Sequence, residues 1–298
     1  MQVNSVKHGN IWLTVSGALV VISVIIMIFS TIKTSSPFKL GLDFTGGTKL
    51  EYRFAADSKL DRDQIQKILV DSKLAGSQIT IEKSNEPLLI LRTRAISDDT
   101  ALDTLNTSLT SAYGDFKVEA IDTVSPIIGP ELLSSGLIAL GCTILGIVLY
   151  ISFRFKRDYA FCGIAALVHD VIIVMGLFSF LGLYYGIEVD SLFITALLST
   201  FGFSIHDTIV VFDRIRENQK LVTSKFDFKE VANHSVNQVF ARSVNTSLTT
   251  LSTLAILFFW GGKTTQSFVG ALFVGLLVGT YSSLFVASPL LVLLNRKK

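Results

Sequence analysis

Apolar runs long enough to cross a bilayer recur along the chain, and their spacing sets its plan. About 20 consecutive apolar residues span the hydrocarbon core. By that measure spans are predicted at 11–32, 132–153, 159–183, 189–211, 244–260 and 268–294. Short polar ends, 1–10 and 295–298, flank them. A cleavable signal peptide is the competing reading of the first run. Its apolar part is usually about 7–15 residues and ends at an A-x-A-like site. This run is longer and ends in Phe29-Ser30-Thr31, which predicts an uncleaved span.

Between the first two spans the period changes. Over 33–131, strict alternation at Lys49-Leu50-Glu51-Tyr52-Arg53-Phe54 predicts a half-buried strand. Ser58, Asp61 and Asp63 open a helix through Leu74 with Ile65, Ile68 and Leu69 on one side. Ile79 and Ile81 mark a second strand, a turn at Ser84-Asn85-Glu86-Pro87 follows, and Leu88 to Arg94 forms a third. Ser97, Asp98 and Asp99 cap a helix that turns Leu102, Leu105, Leu109 and Ala112 one way. Gly114 stops it, and Phe116 to Asp122 supplies the last strand. The order β-α-β-β-α-β is the ferredoxin-like arrangement. The fold class is therefore a polytopic α-helical membrane protein of six transmembrane helices, with one α+β ferredoxin-like domain between helices 1 and 2. That domain holds no histidine or cysteine, and its acids sit mostly at helix starts, so it reads as a binding or lever domain.

Composition agrees: 50% of residues are hydrophobic, and the mean hydropathy is +0.55. The net charge of +2 hides an uneven distribution. Basic clusters follow the second span (Arg154, Lys156, Arg157), the fourth (Arg214, Arg216, Lys220) and the sixth (Arg296, Lys297, Lys298), whereas the opposite loops hold at most Lys263. The positive-inside rule then puts both termini in the cytoplasm and the 33–131 domain outside. The cytoplasmic loop 212–243 contains an amphipathic stretch, Asp227 to Arg242, with Phe228, Val231, Ala232, Val236, Val239 and Phe240 on its apolar side. It is expected to lie against the membrane or the bundle. Cys142 and Cys162 both fall in apolar runs, so neither a disulfide nor a metal motif is indicated.

Candidate chemistry lies inside the apolar runs. Asp207 sits where a carboxylate is disfavoured by about 2.5–3.5 kcal/mol. Helical steps back from it meet Ser204, Thr200, Ser199 and Ala196, a small polar stripe suited to a bundle interior. The bland alternative is a helix-end carboxylate solvated from the cytoplasm. In the fifth span Arg242, Asn245, Thr246, Thr249, Thr250 and Thr253 form a second stripe that could face Asp207. Its alternative is a snorkelling arginine with hydroxyls bonded to their own backbone. His169-Asp170 is a further ionisable pair, either a proton relay or interhelical glue. No metal site is expected, because the adjacent pairs His169-Asp170 and His206-Asp207 should diverge around their helices. In the sixth span Ala271, Gly275, Gly279, Ser283 and Ala287 form a small-residue seam for close helix contact, within the chain or with a partner.

Four ordered motifs resemble the SecD/SecF family of bacterial protein-export subunits, a branch of the resistance-nodulation-division (RND) superfamily. Gly41-Leu42-Asp43-Phe44-Thr45-Gly46-Gly47-Thr48 is similar to its first shared signature, and Val124 to Leu132, with Pro126, Gly129 and Glu131, to its second. Gly202 to Thr208 with Phe212-Asp213-Arg214-Ile215-Arg216-Glu217-Asn218, and Arg242 to Thr250, resemble the SecF branch specifically. The resemblance implies an inner-membrane subunit, not an enzyme, that works with SecD at the SecYEG channel, with YajC and YidC as further candidate partners. It implies contact with preprotein and membrane lipid, none with nucleic acid, and no cofactor beyond the proton gradient. Asp207 matches the family's proton-carrying aspartate and Arg242 the arginine that regulates it. His206, His169, Asp170 and Thr246 are candidate relay residues. His206 departs from the small polar residue more often found there, which puts the pH response of Asp207 in question.

Three other readings are weighed. A small-molecule exporter of the same superfamily would have larger external domains and usually a second six-span half. An intramembrane enzyme would need a motif such as GxGD or HExxH, and none is present. A passive scaffold fits the sixth-span seam but not the buried charges, and it should tolerate Asn at Asp207.

Overall fold

The computed structural model describes residues 4, 6–56, 58–82, 85–96, 99–222 and 227–295. The chain divides into two compact units, Leu40–Gly136 and the remainder.

The smaller unit carries the alternating pattern into a four-stranded antiparallel sheet. In chain order come a short helix α1′ within the first glycine signature (Leu42–Thr45), then β1 (Gly47–Phe54), αA (Arg62–Asp71), β2 (Gln78–Glu82), β3 (Leu88–Thr93), αB (Asp99–Tyr113) and β4 (Phe116–Val124). The sheet order is β2-β3-β1-β4, the ferredoxin-like topology. Asp61 caps αA by accepting from the Asp63 amide at 3.0 Å. Gly114, at φ +82°, ends αB. The caps expected at Ser97 and Asp98 and the turn residue Ser84 lie outside the described residues. Leu50, Tyr52 and Phe54 alternate inward from β1 onto Ile65, Ile68 and Leu69 of αA and Leu105 and Leu109 of αB, while Ala112 is exposed. The Tyr52 hydroxyl donates to Asn106 Oδ1 at 2.9 Å, and burial pushes its pKa up to about 12.

The two shared glycine motifs meet inside this unit. Gly46 and Gly47 have φ of +66° and +119°, backbone that an L side chain rarely adopts. A Cβ on Gly46 would come within 2.8 Å of Pro126 Cα, and one on Gly129 within 2.9 Å of the Phe44 carbonyl oxygen. Close backbone approach therefore explains Gly46, Gly47 and Gly129, with Pro126 as the neighbour that Gly46 admits.

The larger unit is helical, and the six spans appear as six helices long and apolar enough to cross a membrane. They are α1 (Gly9–Thr34), α2 (Ile128–Arg154, which begins in the smaller unit), α3 (Arg157–Tyr185), α4 (Ser191–Asn218), α5 (Phe228–Trp260) and α6 (Lys263–Ser282). The last continues through a π turn, Ser283–Ala287, into α7 (Ser288–Asn295). Pro289 has no N–H to give the carbonyl one turn back, and a π turn is one way a helix absorbs that loss. Ser288 Oγ bonds the Ser283 carbonyl across it at 3.1 Å.

Helices α3, α4 and α6 are the most buried of the spans, and among the apolar side chains of α2 Ile151 is the one fully buried. Helix α1 turns Gly9, Ser16, Ser23 and Ser30 inward, each seven residues apart. There Ser23 packs against Gly176, where a Cβ would overlap it. The sixth-span seam serves contact within the chain: Gly275 and Gly279 face Thr200 and Ser204 of α4.

The amphipathic stretch and the fifth span are one helix. No Gly or Pro stands between Phe228 and Trp260, so nothing interrupts the ladder. The N-terminal half of this helix lies on the bundle, with Ala232, Val236 and Val239 packed among Phe212 and Ile215.

Candidate intramembrane site

Helix α4 is anchored by Asp190, whose carboxylate accepts from the Phe193 amide at 2.9 Å. Its buried face then reads Ala196, Thr200, Ser204, Asp207 and Thr208, so the stripe read from the sequence lies in the bundle interior except for Ser199, which stands half-buried at its edge and bonds the Thr195 carbonyl at 3.0 Å.

Two carboxylates are held near this face in separate settings. Asp170 of α3 is fully buried. Its Oδ1 lies 2.9 Å from His169 Nδ1, and its Oδ2 accepts from Ser204 at 2.5 Å and Ser282 at 2.8 Å. One carboxylate thus ties α3 to α4 and α6. The His169 ring turns back to its neighbour instead of diverging, because the buried carboxylate offers it a hydrogen-bond acceptor. His169 Nε2 is buried with no partner among the described residues.

Asp207 is nine-tenths buried. The Ser247 and Thr280 hydroxyls stand against its carboxylate and bond each other at 2.7 Å. His206 Nδ1 is 4.0 Å from Asp207 Oδ1, with its side chain 68% exposed.

Arg242 does not face Asp207. On α5 the buried stripe runs Val231, Ser235, Val239, Ser243, Ser247 and Leu254, and Arg242 is one position off it, about 100° around the helix. Arg242, Asn245, Thr246, Thr249 and Thr253 are exposed on the outer face. Thr246 bonds the Arg242 carbonyl at 2.9 Å and Thr249 the Thr246 carbonyl at 2.7 Å, the backbone-bonded alternative. Of the inward serines, Ser247 bonds Thr280 of α6 at 2.7 Å and Ser235 accepts from Asn218 of α4 at 3.0 Å.

At the end of α4, Asp213 bridges Arg154 and Arg216, both at 3.0 Å, beside Phe155, over whose ring both guanidinium groups lie. Arg214 bonds Gln238 at 2.5 Å and Glu217 at 2.9 Å. Asp213 thus fastens α4 to the end of α2, and Arg214 fastens it to α5; with Arg242 both line a cavity of about 370 Å³. Glu131 is exposed near the start of α2, and Gly41 and Asp43 flank the start of the short helix Leu42–Thr45. No cluster of metal-ligating side chains occurs among the described residues.

Sequence reasoning missed Thr280, Ser282 and Ser247. The signal was present: Thr280-Tyr281-Ser282-Ser283 puts four hydroxyls in a row within an apolar span. They reach Ser247, Ser16 at 2.9 Å, Asp170 and Thr208 at 2.8 Å.

Two family profiles match: "Protein export membrane protein SecD/SecF, C-terminal" over residues 104–297 and "SecD/SecF GG Motif" over 34–57. A relative named protein translocase subunit SecF, from Synechocystis sp., is 39% identical over 93% of this chain and 89% of its own. Protein translocase subunit SecDF from Thermus thermophilus is 38% identical over 88% of this chain and 35% of its own. The crystal structure of SecDF, a translocon-associated membrane protein from Thermus, superposes with a TM-score of 0.83 at 33% identity over 99% of this chain. This chain spans 39% of that one.

Proposed function

The chain belongs to the SecD/SecF family of protein-export membrane proteins, and from that premise we propose that it is the SecF-type half of a proton-driven export motor. It is a multi-pass inner-membrane subunit of the Sec export machinery, not an enzyme. Asp207 carries the transported proton, and Arg242 regulates it from the neighbouring helix. SecD supplies the other half, and the pair acts at the SecYEG channel on emerging preprotein, with YajC and YidC as accessory partners. Both termini are cytoplasmic, and the small α+β unit lies outside, where it is moved by the proton cycle.

One observation carries this reading: the polar face that α4 and α5 turn outward beside Asp207. His206, Arg242, Asn245, Thr246 and Thr249 are exposed on it, and ionisable groups at membrane depth seldom face lipid. A partner half covers such a face and turns it into a proton path between subunits. The SecDF relative, in which this chain matches about a third of the length, supports a partner of SecD type. Each charge crossing 100 mV yields about 2.3 kcal/mol, so a few protons suffice to bias a domain movement. In this setting Arg242 acts on Asp207 from the partner-covered face and not by direct contact through the interior of this chain.

The test is reporter secretion in cells whose only copy carries Asp207→Asn, with membrane levels checked and the exposed Glu230→Gln as control. Loss of export in the first variant alone is expected. Normal export at wild-type levels in Asp207→Asn would overturn the reading.

A further inference from the structure

We propose that His169 and Asp170 form a second proton-binding site, linked to Asp207 through the hydroxyls of residues 280–283 on α6. The inference rests on the proton-driven reading above and concerns a different carboxylate.

Two independent features point to a proton as the ligand. Both Asp170 oxygens are engaged, Oδ1 with His169 and Oδ2 with two serines, the arrangement that holds an ionised carboxylate. With His169 Nδ1 donating to it, the opposite ring nitrogen is an acceptor, and that atom is buried without a partner. A buried polar atom of this kind calls for a functional explanation. The transfer balances: a proton arriving at Nε2 makes His169 cationic, and the Nδ1 proton then passes to Asp170 Oδ1. His169 is left neutral in its other tautomer, and Asp170 becomes a neutral acid.

Neutralising Asp170 weakens the charge-assisted bonds from Ser204 and Ser282, because a neutral acid is a poorer acceptor than a carboxylate. Ser204 lies one turn before Asp207 on α4. Thr280, two residues before Ser282, stands against Asp207. The next residue, Ser283, bonds Thr208 and begins the π turn. Protonation at either carboxylate therefore pulls on the same turn of α6, at a site where the helix is already wound differently. π turns are frequent at functional positions. The other titratable groups around Asp170 are Tyr281, whose ring is 6.4 Å from that of His169, and Asp207 with His206. Helix α1 carries no charged residue except Lys33 near its end, and α6 none beyond Lys263 at its start.

Infrared titration of the purified full chain in lipid discs tests this by following the carboxylic-acid C=O stretch with pH. Asp170→Asn should remove one protonatable band. Asp207→Asn should keep that band but shift its midpoint, and Thr280→Ala with Ser282→Ala should abolish the shift. Should Asp170→Asn fold poorly, Asp170→Glu reports the same band at a moved frequency, and His169→Gln moves its midpoint. A titration in Asp170→Asn that overlays the wild type would overturn the site, and an Asp170 midpoint unmoved by Asp207→Asn would overturn the linkage. Normal export in Asp207→Asn together with a coupled titration would instead sink the motor reading and leave this site standing.

Discussion

At Gly275 an added methyl would overlap the Thr200 side chain, so the contact between α4 and α6 depends on a missing Cβ. Overpacking of this kind typically costs about 1–3 kcal/mol. Gly275→Ala should lower thermal stability in detergent by an amount in that range, and Thr200→Ala in the same chain should recover much of it. A simple sum of the two single effects would show that the residues do not touch. Tyr52 offers a test in the smaller unit. Its phenol ionises near 10 when unfolded and near 12 when folded, so above pH 10 the unfolded state holds fewer protons. Stability contributed by the neutral phenol is thus complete below about pH 10 and lost as pH rises toward 12. In Tyr52→Phe that alkaline loss should shrink, at the expense of about 1 kcal/mol for the hydrogen bond to Asn106. Denaturant melts at neutral and alkaline pH compare the two.

Among the elements, α5 has the strongest mechanical consequence. Its N-terminal half is packed on the bundle and its C-terminal, more apolar half carries Ser247, so a movement of one is delivered to the other by an unbroken helix. Ala241→Pro should break it between the halves, costing about 3 kcal/mol. It should also reduce export, even though Ala241 is exposed and touches neither carboxylate. Unimpaired export with normal membrane levels would show that the two halves act separately. The continuity was readable, since 228–260 contains no Gly or Pro, but the change from amphipathic to apolar composition near Arg242 disguised it as two elements.

For the molecule as a whole, the outward polar face predicts where a partner sits. Thr249→Cys, on that face, should cross-link to SecD in native membranes, whereas Ile25→Cys, 58% exposed on the apolar side of α1, should not. Equal cross-linking from both positions would remove the case for a specific covered face. The six spans and the sheet unit between the first two, with its strand order, were legible in the sequence, because hydrophobic runs and alternation are local properties. The stripe on α4 was legible for the same reason: small and polar residues at helical spacing stand out against Leu, Ile and Phe.

What the sequence by itself determined, then, is the set of elements, the inward side of α4 and the two carboxylates placed among apolar residues. Tertiary structure decided the pairings. It gave Asp170 to Ser204 and Ser282, set Ser247 and Thr280 against Asp207, and turned Arg242 and Thr246 outward. The reason is that lipid is as apolar as a leucine side chain, so burial does not fix the rotation of a membrane helix as it does in water. Close contacts at glycine and serine and a few buried hydrogen bonds fix it instead. Those contacts join residues that lie far apart in the chain, such as Gly275 with Thr200 and Ser282 with Asp170.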